Sequence, residues 1–193
     1  MNDEERLFFY QLIARLFRAA PDQALLKLIS KLEVNTGYDN FSQALSTLIS
    51  VAKTADIQQL DDDYHHLFIG LGRGELVPYL SWYQTGFLME KPLASLRQQL
   101  KQLGIRRQPK NCEPEDHISA ICEVMALLIQ DQSEHQNVFF QNAIAPWFAH
   151  FFSDLKATTT GNFYPIVAEL GLAFIALEAR SLSIPYAGET DAT

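Results

Sequence analysis

Five consecutive residues, Glu113, Pro114, Glu115, Asp116 and His117, carry the richest side-chain chemistry in the sequence. As a helix start, Pro114 takes the first position, where its missing N–H costs nothing. Glu115 and Asp116 then sit against the positive end of the helix dipole. As a polar hook, Asp116 accepts from an incoming backbone or guanidinium donor, and His117 donates or accepts. Spacing alone leaves both readings open. The enzymatic alternative is a small metal- or nucleotide-dependent hydrolase using Asp116, His117 and Glu123. Its spacing is poor. A ligating helix places donors three or four residues apart, yet Ala120 and Ile121 stand there after His117.

A second cluster, Pro78-Tyr79-Leu80-Ser81-Trp82-Tyr83, has three aromatics in a Pro-led segment read as a loop. Tyr and Trp offer apolar area with a polar tip, which suits either a core or a peptide groove. Gly70-Leu71-Gly72-Arg73-Gly74 matches neither the dinucleotide fingerprint nor the Walker pattern and reads as a turn that tolerates positive φ. His65 and His66 are neighbours on a helix, so they do not share a face, and at least one is expected in solvent. No GxSxG or HExxH motif occurs.

The elements that must position these groups are helical. Leu7, Phe8, Leu12, Leu16 and Phe17 share one face of a first helix that Pro21 stops. A second runs from Asp22 to Leu32, before a turn at Asn35, Gly37 and Asn40. Phe41, Leu45, Leu48, Ile49 and Ala52 recur at helical spacing. Asp61-Asp62-Asp63 suits a helix N-terminus ahead of Tyr64, Leu67 and Phe68. Pro92 opens another helix with Leu93, Leu96, Leu100 and Leu103 inward and Gly104 as its cap. Arg106 to Cys112 reads as a polar connector. A long helix is expected from Pro114 to about Gln130, then helices over Val138–Ile144, Pro146–Leu155 and Tyr164–Glu178. No segment alternates like a strand. The fold class is all-α, a compact multi-helix globule, with one domain over residues 1–187 and a frayed tail over 188–193.

The chain has 193 residues, 48% of them hydrophobic, enough to bury a core without disulfides or metal. Its formal charge is 15 − 23 = −8, and it shows no basic stripe for a duplex nucleic acid. No run reaches the roughly 18 apolar residues of a membrane span. Cys112 and Cys122 form no CxxC pair, which fits a reducing compartment. The acidic start, MNDEER, is unlike a secretory signal, and the internal Arg106-Arg107 pair is not an export signal of the chain's own.

Taken in order, Tyr64-x-x-Leu67-Phe68-x-Gly70, Pro78-Tyr79-x-Ser81-x-Tyr83, Pro92-Leu93-x-x-Leu96-Arg97, Leu103-Gly104-Ile105 and Glu113-Pro114-Glu115-Asp116-His117 resemble the TorD/DmsD family of redox enzyme maturation proteins. The resemblance spans about Glu4 to Arg180, and its last helix corresponds to Phe163 through Glu178. It implies a cytoplasmic, all-helical chaperone that is not an enzyme. Such a chaperone binds the twin-arginine signal peptide, and often the immature body, of a molybdopterin oxidoreductase. It holds the client until its cofactor is inserted. The resemblance places recognition around Tyr79, Ser81 and Tyr83 and around Pro114, Asp116 and His117, with Trp82 and Glu113 beside them. In that scheme Asp116 faces the peptide, Tyr79, Trp82 and Tyr83 supply apolar wall, and Arg97 orients a carboxylate such as Glu113. It implies no resident cofactor beyond weak guanine-nucleotide binding, and either a monomer or a homodimer. Some members carry more tryptophan where this chain has Leu71-Gly72-Arg73-Gly74. The client is thus left open among TMAO or DMSO reductase, formate dehydrogenase and other enzymes, and the alternative within the family is a TorD-like scaffold for a non-exported partner.

Overall fold

A computed structural model describes residues 1–34, 39–70, 74–108 and 113–183. Among these residues the fold is helical throughout, with no strand and one isolated backbone bridge. The helices are α1 (Asp3–Arg18), α2 (Gln23–Ser30), α3 (Asn40–Thr54), α4 (Ile57–Tyr64) and α5 (Leu80–Thr85). They continue with α6 (Lys91–Gln102), α7 (Ile118–Gln130), α8 (Gln136–Phe139), α9 (Phe148–Ala157) and α10 (Phe163–Ser181). Wider π turns follow α4 over His65–Ile69 and α8 over Phe140–Ile144.

The helix starts follow local chemistry. Asn2 and Glu5 form a reciprocal capping box on α1. Asp22, Asp39 and Asp56 each cap a helix by accepting from its first-turn N–H groups. Asp56 starts α4, so Asp61, Asp62 and Asp63 lie in its second half and not at its mouth as expected. The early cap wins because Asp56 Oδ1 takes two N–H groups at 2.8 and 3.1 Å.

The core is continuous from helix to helix. α1 lies along α7, and α10 packs on α9 and α3. The inward face of α1 carries Phe9, Tyr10, Leu12, Ile13, Leu16 and Phe17, while the expected Leu7 and Phe8 are half-buried at its edge. Phe17 meets Phe68, Phe151, Phe152 and Tyr164 at ring distances of 5.2–6.2 Å. Such contacts add to the area they bury. Cys122 lies in this core, and burial pushes its thiol well up, so it is an inert packed thiol.

One turn matters for the site. The π geometry over His65–Ile69 leaves the His66 and Leu67 carbonyls free to accept from Glu75 and Leu76 at 3.2 and 2.8 Å. That brings the chain at Gly74 so close that a Cβ there would sit 2.5 Å from the Leu67 oxygen. Gly70 does use positive φ, but Gly74 is required by this approach. Leu71, Gly72, Arg73, Cys112, the 35–38 turn and the expected tail lie outside the described residues.

Candidate functional site

Two stretches far apart in sequence are stitched together. The Leu80 N–H donates to the Asp116 carbonyl at 3.0 Å, and the Ile118 N–H donates to the Pro78 carbonyl at 2.9 Å. These bonds set Tyr79 and His117 opposite one another in an antiparallel bridge, with ring centres 4.9 Å apart. Beneath them the Asp116 carboxylate accepts from the Ser81 N–H at 3.1 Å and from its hydroxyl at 2.5 Å.

The long helix begins later than its sequence suggests. His117 is its N-cap, and Ile118 is its first residue. Pro114 instead opens a turn in which its carbonyl accepts from the His117 N–H at 3.2 Å. Glu115 and Asp116 are therefore outside the helix. Each finds a specific partner in place of the dipole, Asp116 in Ser81 and Glu115 in Arg97 at 2.8 Å. The aromatic segment also differs from expectation. Residues Leu80–Thr85 form a short helix, closed by Gly86 in the left-handed region.

A cleft of about 940 Å³ opens beside the stitch, between α1, α7 and the chain around Tyr79 and Ile105. Tyr79, Glu113 and His117 line it, but Ser81, Trp82, Tyr83, Pro114 and Asp116 do not. Asp116 is only 1% exposed and braces Ser81 from below. Tyr83 turns to the other side, bonding Asp154 at 2.9 Å, with its ring tilted against Trp147 and edge-to-face with Phe151. Arg97 reaches Glu115, not Glu113, whose carboxylate instead accepts from the Tyr79 hydroxyl. That bond, after burial, pushes the Tyr79 phenol well up, so it stays protonated. Burial works to raise the Glu115 carboxyl, but the bond and charge of Arg97, with Arg107 beside it, hold it below the usual range.

The sequence reading missed much of the cleft wall. Gln11, Ala14, Arg15 and Arg18 on α1 face Ser119, Glu123, Leu127 and Gln130 on α7. Arg18 and Glu123 form an ion pair across the seam. The helical spacing of Gln11, Arg15 and Arg18 was one available signal. Leu127 was another, since it stands off the buried stripe of α7 and is 45% exposed. From 119 to 130 the α7 wall extends about 16 Å at 1.5 Å per residue.

Asp116, His117 and Glu123, the residues of the hydrolase alternative, each bond a different partner: Asp116 bonds Ser81, His117 bonds Ser119 and Glu123 pairs with Arg18. No cluster of three metal-ligating side chains occurs among the described residues.

His117 has a defined protonation state. Its Nδ1 accepts from the Ser119 N–H at 3.2 Å and lies 2.8 Å from the Ser119 hydroxyl. The remaining proton of a neutral ring is then on Nε2, available as a donor. Burial lowers its pKa to about 4; nearby Asp116 works against this and Arg18 adds to it. A depressed pKa in the fold means the unfolded chain takes up the proton first. Stability is therefore full above the unfolded value near 6.5 and falls as pH drops toward 4. Between pH 7 and 5 this contribution is about 2 kcal/mol. His117→Asn keeps a capping acceptor but does not titrate, so its urea-denaturation stability should lack this part of the acid loss. An unchanged pH slope in the variant would assign the loss elsewhere.

Among the described residues the protein is all-helical, with a polar-mouthed groove along the α1–α7 seam. Residues 33–153 match the family model described as nitrate reductase delta subunit. The chain is 31% identical over 147 residues to the chaperone protein TorD of Actinobacillus succinogenes, covering 72% of this chain and 74% of that one. It is 30% identical over 141 residues to TorD of Aggregatibacter aphrophilus, covering 70% and 67%. TorD of Vibrio cholerae aligns over 194 residues at 28% identity, covering 91% and 87%. A crystal structure described as a putative redox enzyme maturation protein from Archaeoglobus fulgidus shares the fold. Its TM-score is 0.61 at 19% identity, covering 91% of this chain and 94% of that one. The chain belongs to the TorD family of redox enzyme maturation chaperones, and it is not an enzyme.

Proposed function

We propose that this chaperone acts in the cytoplasm. It binds the twin-arginine signal peptide of a molybdopterin oxidoreductase precursor, of TMAO or DMSO reductase or formate dehydrogenase type, and delays export until the cofactor is inserted. The observation that carries the reading is the meeting of Tyr79 and His117 at the mouth of one cleft. A signal peptide joins basic residues to an apolar, helix-forming stretch. Val124, Leu127, Leu100 and Ile105 offer the apolar stretch a wall about three helical turns long. Glu113 at the mouth is the acceptor for the peptide's cationic end. The arginines of the same cleft are partly neutralised, Arg18 by Glu123 and Arg107 by Glu115. His117 Nε2–H would donate to a peptide carbonyl. Asp116 and Ser81 act through the shape they give to this mouth.

Holding and release call for a micromolar complex, about −8 kcal/mol. Leu127 tests the reading cleanly, because it is exposed and its replacement leaves the core intact. Titrating a labelled twin-arginine signal peptide of a TMAO reductase precursor into Leu127→Asp protein should show at least about tenfold weaker binding. Thermal stability should stay within about 0.5 kcal/mol of the parent. Equal affinity in parent and variant would exclude the cleft as the peptide site.

A further inference from the structure

A second groove, of about 610 Å³, lies between α5, α6 and the α8 turn, and it shares no lining residue with the cleft. Its chemistry is different. The cleft is lined by four arginines and three glutamates. Lys91 is the one charged side chain lining the second groove among the described residues. Gln84, Gln98, Gln99, Gln102 and Asn142 line its sides, and all but the half-buried Gln99 are exposed. Leu80 and Leu96 form an apolar floor, and Val138, 51% exposed, stands on the far rim.

The turn before α6 carries an exposed apolar tip. Phe87, Leu88 and Met89 are 67%, 46% and 74% exposed, on the turn that leads straight into Lys91 and Pro92 of the groove. The turn is held in shape. Gly86 closes α5 in the left-handed region, and the Thr85 hydroxyl lies 2.8 Å from the Ser81 carbonyl and 3.1 Å from the Phe87 carbonyl, and 3.2 Å from the Phe87 N–H that donates to it. Met89 takes φ +59°, a conformation unfavourable for any residue but glycine. Three bulky apolar side chains in solvent on a fixed turn mark an interaction surface.

We infer that this amide-lined groove and the apolar Phe87–Met89 turn that leads into it bind an extended, uncharged segment of unfolded polypeptide. A primary amide carries both a donor and an acceptor, the same pair that each peptide unit presents. A row of such amides recognises main chain with little regard to sequence, while a segment carrying several charges would lose solvation there and meet Lys91 as its one charged neighbour among the described lining residues. Exposed Val138 and the Phe87–Met89 turn offer apolar surface to alternate side chains of an extended segment, which point to opposite faces. Methionine and phenylalanine adapt to varied partners, as a surface for unfolded chains needs. The inference rests on the chain's being a chaperone, and it does not depend on what the cleft binds.

The probe is a nine-residue peptide of alternating Leu, Ser and Val, uncharged at both ends and labelled with an uncharged fluorophore, added to the full chain. It should bind with a dissociation constant in the micromolar range. A copy N-methylated at alternate peptide units should bind at least tenfold more weakly, because it lacks main-chain donors. Gln99→Glu with Gln102→Glu, and separately Phe87→Ser with Met89→Ser, should each weaken the parent peptide at least tenfold. Leu127→Asp should leave it unchanged, and saturating twin-arginine peptide should not displace it. Three results would overturn the inference. One is no binding of the neutral peptide at millimolar concentration. Another is loss of binding in Leu127→Asp with no loss in the groove variants. The third is sedimentation showing self-association that the Phe87 and Met89 substitutions abolish, which would give the face to a second copy of the chain.

Discussion

Glu178→Ala is expected to remove about 3–5 kcal/mol, a large share of the stability of an ordinary domain. Glu178 is 1% exposed and Arg6 5% exposed, deep between the start of α1 and the end of α10. The guanidinium meets the carboxylate through two bonds, Nε to Oε1 at 2.8 Å and Nη2 to Oε2 at 3.1 Å. A third bond joins Nη1 to Asp3 at 2.7 Å. Such a fork holds geometry as well as charge. Removing the carboxylate leaves a buried cation with exposed Asp3 as its remaining carboxylate partner, which costs far more than the pair contributes over an apolar replacement. For a domain of this size each kcal/mol moves the melting temperature by about 2–4 °C, so a fall of roughly 10 °C is expected. Arg6→Met combined with Glu178→Met should recover most of the loss, since no unpaired charge then remains. Calorimetric melts of the three proteins decide the matter. A single variant within about 1 kcal/mol of the parent would mean that water or another group already solvates this pair.

That ion pair also shows where sequence reading stops. The helices themselves were legible, because apolar residues at a 3.6-residue period report which face is buried. Phe41, Leu45, Leu48, Ile49 and Ala52 do so over α3. Arg6 and Glu178 stand 172 positions apart, and no local period connects them. The same limit governs the site. Tyr79 and His117 could be proposed as neighbours only through family resemblance, since the bridge between them depends on two backbone bonds set by tertiary packing. Local rules misplaced the start of α7 for a related reason. Proline followed by two acids is good helix-start chemistry, but His117 supplies a cap three residues later, and Arg97 and Ser81 claim the acids. Tyr83 carried the same sequence signal as Tyr79, yet Asp154 and Trp147 hold it on the other side. Facing in a non-periodic segment is a property of what packs against it.

Asp116→Ala is expected to cost about 3 kcal/mol, and to weaken signal-peptide binding through the loss of shape rather than of a contact. Its Oδ2 takes both the Ser81 N–H and the Ser81 hydroxyl, and bonds to a charged group contribute about 1.5–3 kcal/mol each. Alanine would leave both Ser81 donors buried without an acceptor, since Ser81 is itself fully buried. The brace joins the entry of α5 to the turn before α7, the two pieces that set Tyr79 against His117. Loosening it should therefore separate those rings and open the cleft mouth. Ser81→Ala should share the defect, although its side chain does not reach the cleft. The two substitutions should not add. Their double-mutant coupling in urea denaturation is expected near about 1–3 kcal/mol, as for residues in one hydrogen-bond network. Peptide titration separates the alternatives. If Asp116→Ala keeps full stability while signal-peptide affinity disappears, and Ser81→Ala binds normally, then the carboxylate touches the peptide directly and the brace is the wrong account. If both variants lose stability and affinity together, the mouth of the cleft is held from beneath, by a carboxylate that the ligand never meets.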